Sequence, residues 1–187
     1  LMWTNDDRSA PDWENARLIF LISSHAADAG HYFQQAAGQI AAARKKGAKL
    51  VVLDPRLSNS AGIADLWIPC WPGSESAIHL AVVGRLLKEG RHDRAFIKQW
   101  WNWQEYMEAE RPDLTPTFEN FITVLKTVYS EYTFEYASQE SGVRQDMIEQ
   151  IAVDMAKAGK RFSSYNWRSA GAGGEVTRVD VEAIAPG

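Results

Sequence analysis

The sequence predicts an α/β fold: an open, mostly parallel sheet with helices on both faces, followed by a helical C-terminal portion. Three observations carry this. Two continuous apolar runs, Leu18–Ile22 (LIFLI) and Lys49–Leu53 (KLVVL), have the length and composition of strands buried on both faces. Between them, residues 29–46 repeat apolar side chains at helical spacing, which makes a strand–helix–strand unit. From residue 95 to residue 158 only helical spacing recurs.

Taken in order, the first strand ends in the polar loop Ser23-Ser24-His25. The helix after it places Phe33, Ala36, Ala37, Ile40 and Ala41 on one face, carries Arg44, Lys45 and Lys46 in its last turn, and stops at Gly47. The second strand should run parallel to the first, because a crossover of this kind is right-handed and returns on the same side. Asp54-Pro55-Arg56 breaks it at once. Residues 65–70 read as a short third strand, Pro72-Gly73 as a turn, and Ser74 as the start of a helix through Ile78, Ala81, Val82 and Leu86 to Gly90. Three further helices, 95–110, 117–132 and 144–158, are punctuated by Pro112, Pro116, Gly142 and Gly159 and are expected to cover the sheet faces. Residues 161–167 read as a returning strand, and 170–174 as a glycine-rich loop.

With 187 residues the chain has the length of one α/β domain. We expect a single dinucleotide-binding-like domain over 1–187, with 1–16 as a lead-in and 170–187 crossing to a further domain, the whole being a fragment of a larger multidomain enzyme. The 20 basic and 24 acidic residues leave a net charge of -4, which argues against a nucleic-acid surface. No apolar run approaches the roughly 18 residues of a transmembrane helix, so direct membrane insertion is not expected. The compartment stays open between prokaryotic periplasm and cytoplasm. One cysteine, Cys70, rules out an internal disulfide and an iron-sulfur cluster held by this chain alone. The eight tryptophans fall mostly among Leu, Ile and Phe, and core packing is the expected role for them.

In an open parallel sheet, ligands bind beyond the carboxyl ends of the strands. Three loops meet that description. Residues 23–28 offer Ser23, Ser24, His25 and Asp28 just before a helix N-terminus, suited to an anion such as a pyrophosphate; capping of that helix by Ser24 or Asp28 explains the same letters. Asp54 stands where a carboxylate commonly accepts from ribose hydroxyls, and Pro55 and Arg56 stiffen the turn and offer a phosphate partner; a strand-ending turn with a surface ion pair is the plainer reading. Gly73 lets a backbone approach, Ser74 can cap, and Glu75 places a carboxylate where guanine would present its N1 and N2 donors; a Pro-Gly turn with a Ser cap accounts for these residues too. Neither GxGxxG nor GxxxxGK followed by Ser or Thr is present, which weakens an ordinary NAD, FAD or GTP site.

Order and spacing add a resemblance. Residues 47–97, GAKLVVLDPRLSNSAGIADLWIPCWPGSESAIHLAVVGRLLKEGRHDRAFI, are similar to a stretch of the dimethyl sulfoxide reductase family of molybdenum and tungsten oxidoreductases: a strand, Asp-Pro-Arg, a Ser/Thr-rich link, Ala-Asp before a strand, then Pro-Gly-Thr/Ser-Asp and a helix. Residues 18–46 resemble the preceding strand, cofactor loop and helix. The resemblance implies a Rossmann-like domain gripping the guanine nucleotide end of one pterin of a bis-molybdopterin guanine dinucleotide cofactor, with Mo or W. By position in the motif, Ser23, Ser24, His25 and Asp28 line the pyrophosphate and ribose, Asp54, Pro55 and Arg56 the nucleoside, and Gly73, Ser74 and Glu75 the guanine; residues 166–174 would return toward the pterin. Two departures stand out: the first loop reads Ser23-Ser24-His25 where the family usually has G-x-N, and Glu75 replaces the usual Asp.

The resemblance also implies a 4Fe-4S cluster and the metal-ligating residue in parts of the enzyme outside this chain. Its partners would be the remaining domains, with iron-sulfur electron-transfer and membrane-anchor subunits. Cys70 is then a buried structural thiol, His31, His79 and His92 carry no role, and no residue here acts as acid, base or nucleophile. Two rivals use the same fold: a non-redox hydratase or lyase on the same cofactor, and a structural or electron-transfer relative that has lost it.

Overall fold

The computed structural model describes residues 10–26, 33–158, 161–165 and 178–182. Strands β2 (Leu18–Ile22), β3 (Lys49–Leu53) and β4 (Leu66–Ile68) form a parallel sheet in that order, with Leu18 opposite Lys49 and Val51 opposite Leu66. The third strand is thus shorter than the expected 65–70. β3 is central, which explains its unbroken apolar run: both of its faces are covered, and Leu50 to Leu53 are all buried.

The two faces are covered by different helices. Ile19, Leu21, Leu50 and Val52 pack with Ile40 and Ala43 of α1 (Phe33–Lys45), whose chain turns away at Gly47 with φ +94. Val51, Leu53 and Ile68 point the other way. They meet Ile78, Ala81 and Val82 of α3 (Glu75–Lys88), Ala137 of α7 (Phe134–Ser141), and Ile148, Ile151 and Ala152 of α8 (Gln145–Ala158). The period-two alternation along β2 and β3 therefore assigns each side chain to its helix layer. Between β3 and β4 the short helix α2 (Asn59–Gly62) is capped by Ser58, whose hydroxyl accepts from Ala61 N–H.

The helical portion departs from expectation in three places. Residues 95–110 are two helices, α4 (Arg94–Trp100) and α5 (Trp103–Glu110), because Trp101 is extended and Asn102 non-helical. This break lets Trp103 turn inward, where it is 8 % exposed and packs against Phe118 and Phe121 of α6 (Phe118–Val128). The 117–132 helix ends at Val128 and tightens into a 3-10 turn, Tyr129–Glu131. Helix α7 was not anticipated, since its short run FEYASQES has little apolar periodicity; Thr133 caps its start and Gly142, at φ +71, ends it. The capping residues Asp93 and Thr117 set the starts of α4 and α6 in the same way.

The returning strand expected at 161–167 is β5 (Arg161–Tyr165), but it does not join the parallel sheet. It pairs antiparallel with β1 (Ala10–Pro11) and β6 (Arg178–Glu182) in a second sheet. The helices likewise do more than cover the sheet: α4, α5 and α6 bury Ile97, Met107, Phe121, Ile122 and Leu125 in a core of their own. The tryptophans are not uniformly core residues either. Trp103 is, whereas Trp71, Trp100 and Trp101 are 60 %, 63 % and 43 % exposed.

At the other end of the sheet from the three loops, Asp65 fastens the start of β4 to β3. Its carboxylate accepts from Leu50 N–H at 2.7 Å and from the Arg44 guanidinium at 2.9 Å, and its own N–H donates to Leu50 O. The Ala-Asp of the motif is thus a structural staple.

Candidate functional site

The parallel order β2-β3-β4 puts the loops that follow these strands along one edge. Ser23 leaves β2 in the left-handed region, φ 48, while its N–H stays bonded to Leu53 O at 2.9 Å. That conformation is uncommon for a residue with a side chain. It accompanies a specific contact: Ser23 Oγ donates to Glu75 Oε1 at 3.1 Å, 52 positions further along the chain. The first and third loops are thereby joined side chain to side chain. Ser24 and His25 sit half-buried beside Ser23; Asp28, and residues 166–174, lie outside the described residues.

In the second loop Asp54 is 5 % exposed. Its N–H donates to Ile68 O, its carbonyl accepts from Trp67 Nε1 at 2.8 Å, and its carboxylate accepts from Arg56 N–H at 2.7 Å, closing an Asx turn. Pro55 and Arg56 remain exposed at the rim.

In the third loop Gly73 takes φ +87 with open space where a Cβ would stand. Ser74 does not cap the helix as expected. Its hydroxyl instead donates to Trp71 O at 2.6 Å, so the turn is closed from within. Glu75 is the first helical residue, and its carboxyl is held below the ordinary carboxylate range chiefly by its own backbone N–H, with Ser23 Oγ, Gly73 N–H and the His79 ring adding to this against the cost of burial. The lowered pKa favours the carboxylate form, one oxygen of which accepts from Ser23 Oγ.

Asp54 and Glu75 both lie within electrostatic reach of Cys70. Burial pushes the Cys70 thiol up, and both carboxylates add to that push, Glu75 the more strongly. Cys70 itself is 3 % exposed in the core beneath them, as a structural thiol should be. His79, one helical turn after Glu75, packs edge-on against Phe20 with ring centroids 5.6 Å apart; burial lowers its pKa and Glu75 partly opposes this. His79 and Trp71 were not picked out from sequence as neighbours of the site. The i, i+4 spacing from Glu75 signals the first, and its place directly before Pro72-Gly73 the second.

Among the described residues no group of three His, Cys, Asp or Glu could hold a metal ion, and no helix is long and apolar enough to cross a membrane. What the edge offers is hydrogen-bonding side chains and backbone turns.

A parallel sheet with helices on both faces and polar loops after its strands defines a class, the open α/β folds, whose ligands commonly bind beyond the carboxyl ends of the strands. Comparison narrows it. The sequence profile of the molybdopterin oxidoreductases matches residues 2–162, and the chain belongs to that family. It is 34 % identical over 147 residues to the alpha subunit of formate dehydrogenase 1 of Methanococcus maripaludis, a match covering 77 % of this chain and 18 % of that protein. It is 26 % identical over 192 aligned positions to the dimethyl sulfoxide reductase DmsA of Escherichia coli, covering 96 % of this chain and 23 % of the relative. Among solved structures, acetylene hydratase from Pelobacter acetylenicus superposes with a TM-score of 0.59 at 25 % identity, over 78 % of this chain and 17 % of that one. The chain thus spans about a fifth of the length of these relatives. Family membership implies a pterin cofactor carrying molybdenum or tungsten.

Proposed function

We propose that this chain is the part of a molybdenum or tungsten oxidoreductase that grips the guanine nucleotide end of one molybdopterin guanine dinucleotide. The observation that carries the reading is the Ser23–Glu75 hydrogen bond, which ties two loops, separate in sequence, into one acceptor-bearing edge. The residues fit such a group. An ionised Glu75 complements paired N–H donors of a guanine, and the open space at Gly73 admits a ring close to the backbone. Ser23, Ser24, His25 and Asp28 would hold the pyrophosphate and ribose, Asp54, Pro55 and Arg56 the nucleoside, and Gly73, Ser74 and Glu75 the base.

When bound, the cofactor supplies the metal at which oxygen-atom or electron transfer takes place in the whole enzyme. This chain's residues bind and orient. Ser23 steadies the Glu75 carboxylate, and the Arg56 N–H fixes the Asp54 carboxylate within its turn. A 4Fe-4S cluster, the metal ligand, and any electron-transfer or membrane-anchor subunits would belong to the rest of the enzyme or its partners.

The test is metal content in the whole protein that carries this chain. Glu75→Ala and Asp54→Ala should each lower molybdenum or tungsten occupancy, and full occupancy in both would remove the assignment. A second reading is favoured by the likeness to acetylene hydratase, whose name describes a hydration. Under it the whole enzyme would load metal and yet fail to reduce or oxidise redox dyes. A cofactor-less relative would carry no metal at all.

A further inference from the structure

Trp71 is 60 % exposed, yet it is not loosely held. Its N–H donates to Ser141 O at 3.0 Å, and its carbonyl accepts from both the N–H and the hydroxyl of Ser74, the residue before Glu75. The indole is braced as well. A Cβ built on Gly142 would stand 2.7 Å from its Cε2 and 2.8 Å from its Nε1, so the ring packs closely on bare glycine backbone at a position whose φ of +71 itself favours glycine. A large apolar ring left in water forgoes burial that the core could have supplied. Here the end of α7 supports that ring, which precedes Gly73 and Glu75 in the third loop.

We propose that Trp71 is the stacking platform for the purine base whose edge Glu75 reads. The inference rests on the nucleotide-binding reading above and divides the labour within it. An aromatic face accepts any base, because every base has a π face. A carboxylate selects guanine, whose adjacent N1–H and N2–H both donate, over adenine, which lacks that pair. Trp71 therefore supplies affinity without preference, and Glu75 supplies preference. Gly142 is needed twice, for its backbone conformation and for the seat of the ring.

The experiment uses the whole apoprotein, made in a host unable to complete the cofactor, with GMP and AMP binding measured by equilibrium dialysis. Trp71→Leu should weaken both nucleotides by a similar factor of roughly ten, the size of a base-aromatic stack, while Trp71→Phe should lose only about two- to three-fold. Glu75→Gln should weaken GMP alone. Far-ultraviolet circular dichroism checks the fold of each variant, and Trp71→Phe keeps the comparison open should Trp71→Leu misfold. Undiminished binding of both nucleotides by Trp71→Leu, or a loss restricted to GMP, overturns the stacking role. If the unsubstituted apoprotein fails to prefer GMP and Glu75→Gln changes nothing, the guanine reading falls; if it binds neither nucleotide, both inferences fall.

Discussion

Replacing Asp65 separates a structural carboxylate from a binding one inside the same motif. Its carboxylate accepts from Leu50 N–H at 2.7 Å, and Leu50 is fully buried in the central strand, so Asp65→Ala leaves that donor without its acceptor. An orphaned buried N–H costs about 1–3 kcal/mol. The Arg44 partner adds little, because its side chain and that of Asp65 are 32 % and 38 % exposed and such pairs contribute about 0–1 kcal/mol. The expected order is therefore Asp65→Ala above Asp65→Asn, which keeps an acceptor oxygen, and Arg44→Gln least. Native-state hydrogen exchange in the whole protein reads this locally: the amides of β3 should exchange roughly thirty-fold faster in Asp65→Ala, as about 2 kcal/mol requires, and less than about five-fold faster in Arg44→Gln. Burial raises the Asp65 pKa, but Leu50 N–H and then Arg44 outweigh it and leave it lowered. Its contribution is thus present above the ordinary Asp range and lost as pH falls through the lowered value. Metal content should stay near normal in Asp65→Asn. Equal effects of Arg44→Gln and Asp65→Ala would refute the reasoning, since the ion pair rather than the backbone bond would then be holding the strand.

Two further outcomes follow from the site. Cys70 is buried with its thiol pKa raised, so Cys70→Ser should leave metal content and activity close to normal in a folded protein; loss of metal from a folded variant would contradict its structural role. His79 has its pKa lowered by burial, so the folded state resists protonating it, and stability should decline as pH falls below about 6.5, the unperturbed imidazole value. His92, also lowered chiefly by burial, acts in the same window, so His79→Phe should reduce that limb of the unfolding-midpoint profile while leaving the Glu75 and Asp65 limbs at lower pH; an unchanged profile would show that His79 contributes nothing to it.

The parallel unit is legible because its strands are apolar throughout: an unbroken apolar run and a glycine-stopped amphipathic helix leave few alternatives, β2 and β3 match the expected bounds, and α1, described from Phe33, lies within the expected 29–46. Features decided by tertiary contacts were not. No local signal in FEYASQES announces α7, which buries Ala137 in the core and ends where Gly142 turns left-handed. Trp101 and Trp103 read alike in sequence, and only the break between α4 and α5 sends one inward. At the site, the three loops could be named from strand ends, but which side chain meets which could not. Ser74 stands at the cap position, yet its hydroxyl closes the preceding turn by bonding Trp71 O.

The two departures from the family pattern, Ser23 in the first loop and Glu75 in the third, make physical sense together. A glutamate reaches one methylene further than an aspartate and has one more torsion to fix, so at an exposed edge it needs a partner to hold it. Ser23 Oγ, carried on a left-handed backbone, is that partner at 3.1 Å. Either change alone should then do much of the damage of both. Ser23→Ala frees the Glu75 carboxylate, Glu75→Gln removes the charge that the hydroxyl serves, and the pair should be non-additive by about 0.5–1 kcal/mol, the net worth of a hydrogen bond at a partly exposed site. Glu75→Asp in the Ser23 background should behave like Ser23→Ala, because the shorter side chain withdraws from the hydroxyl without changing charge. The measurement is a double-mutant cycle on GMP affinity in the whole apoprotein. Strict additivity would mean that Ser23 and Glu75 act independently, and the edge would then be two unrelated turns rather than one built surface.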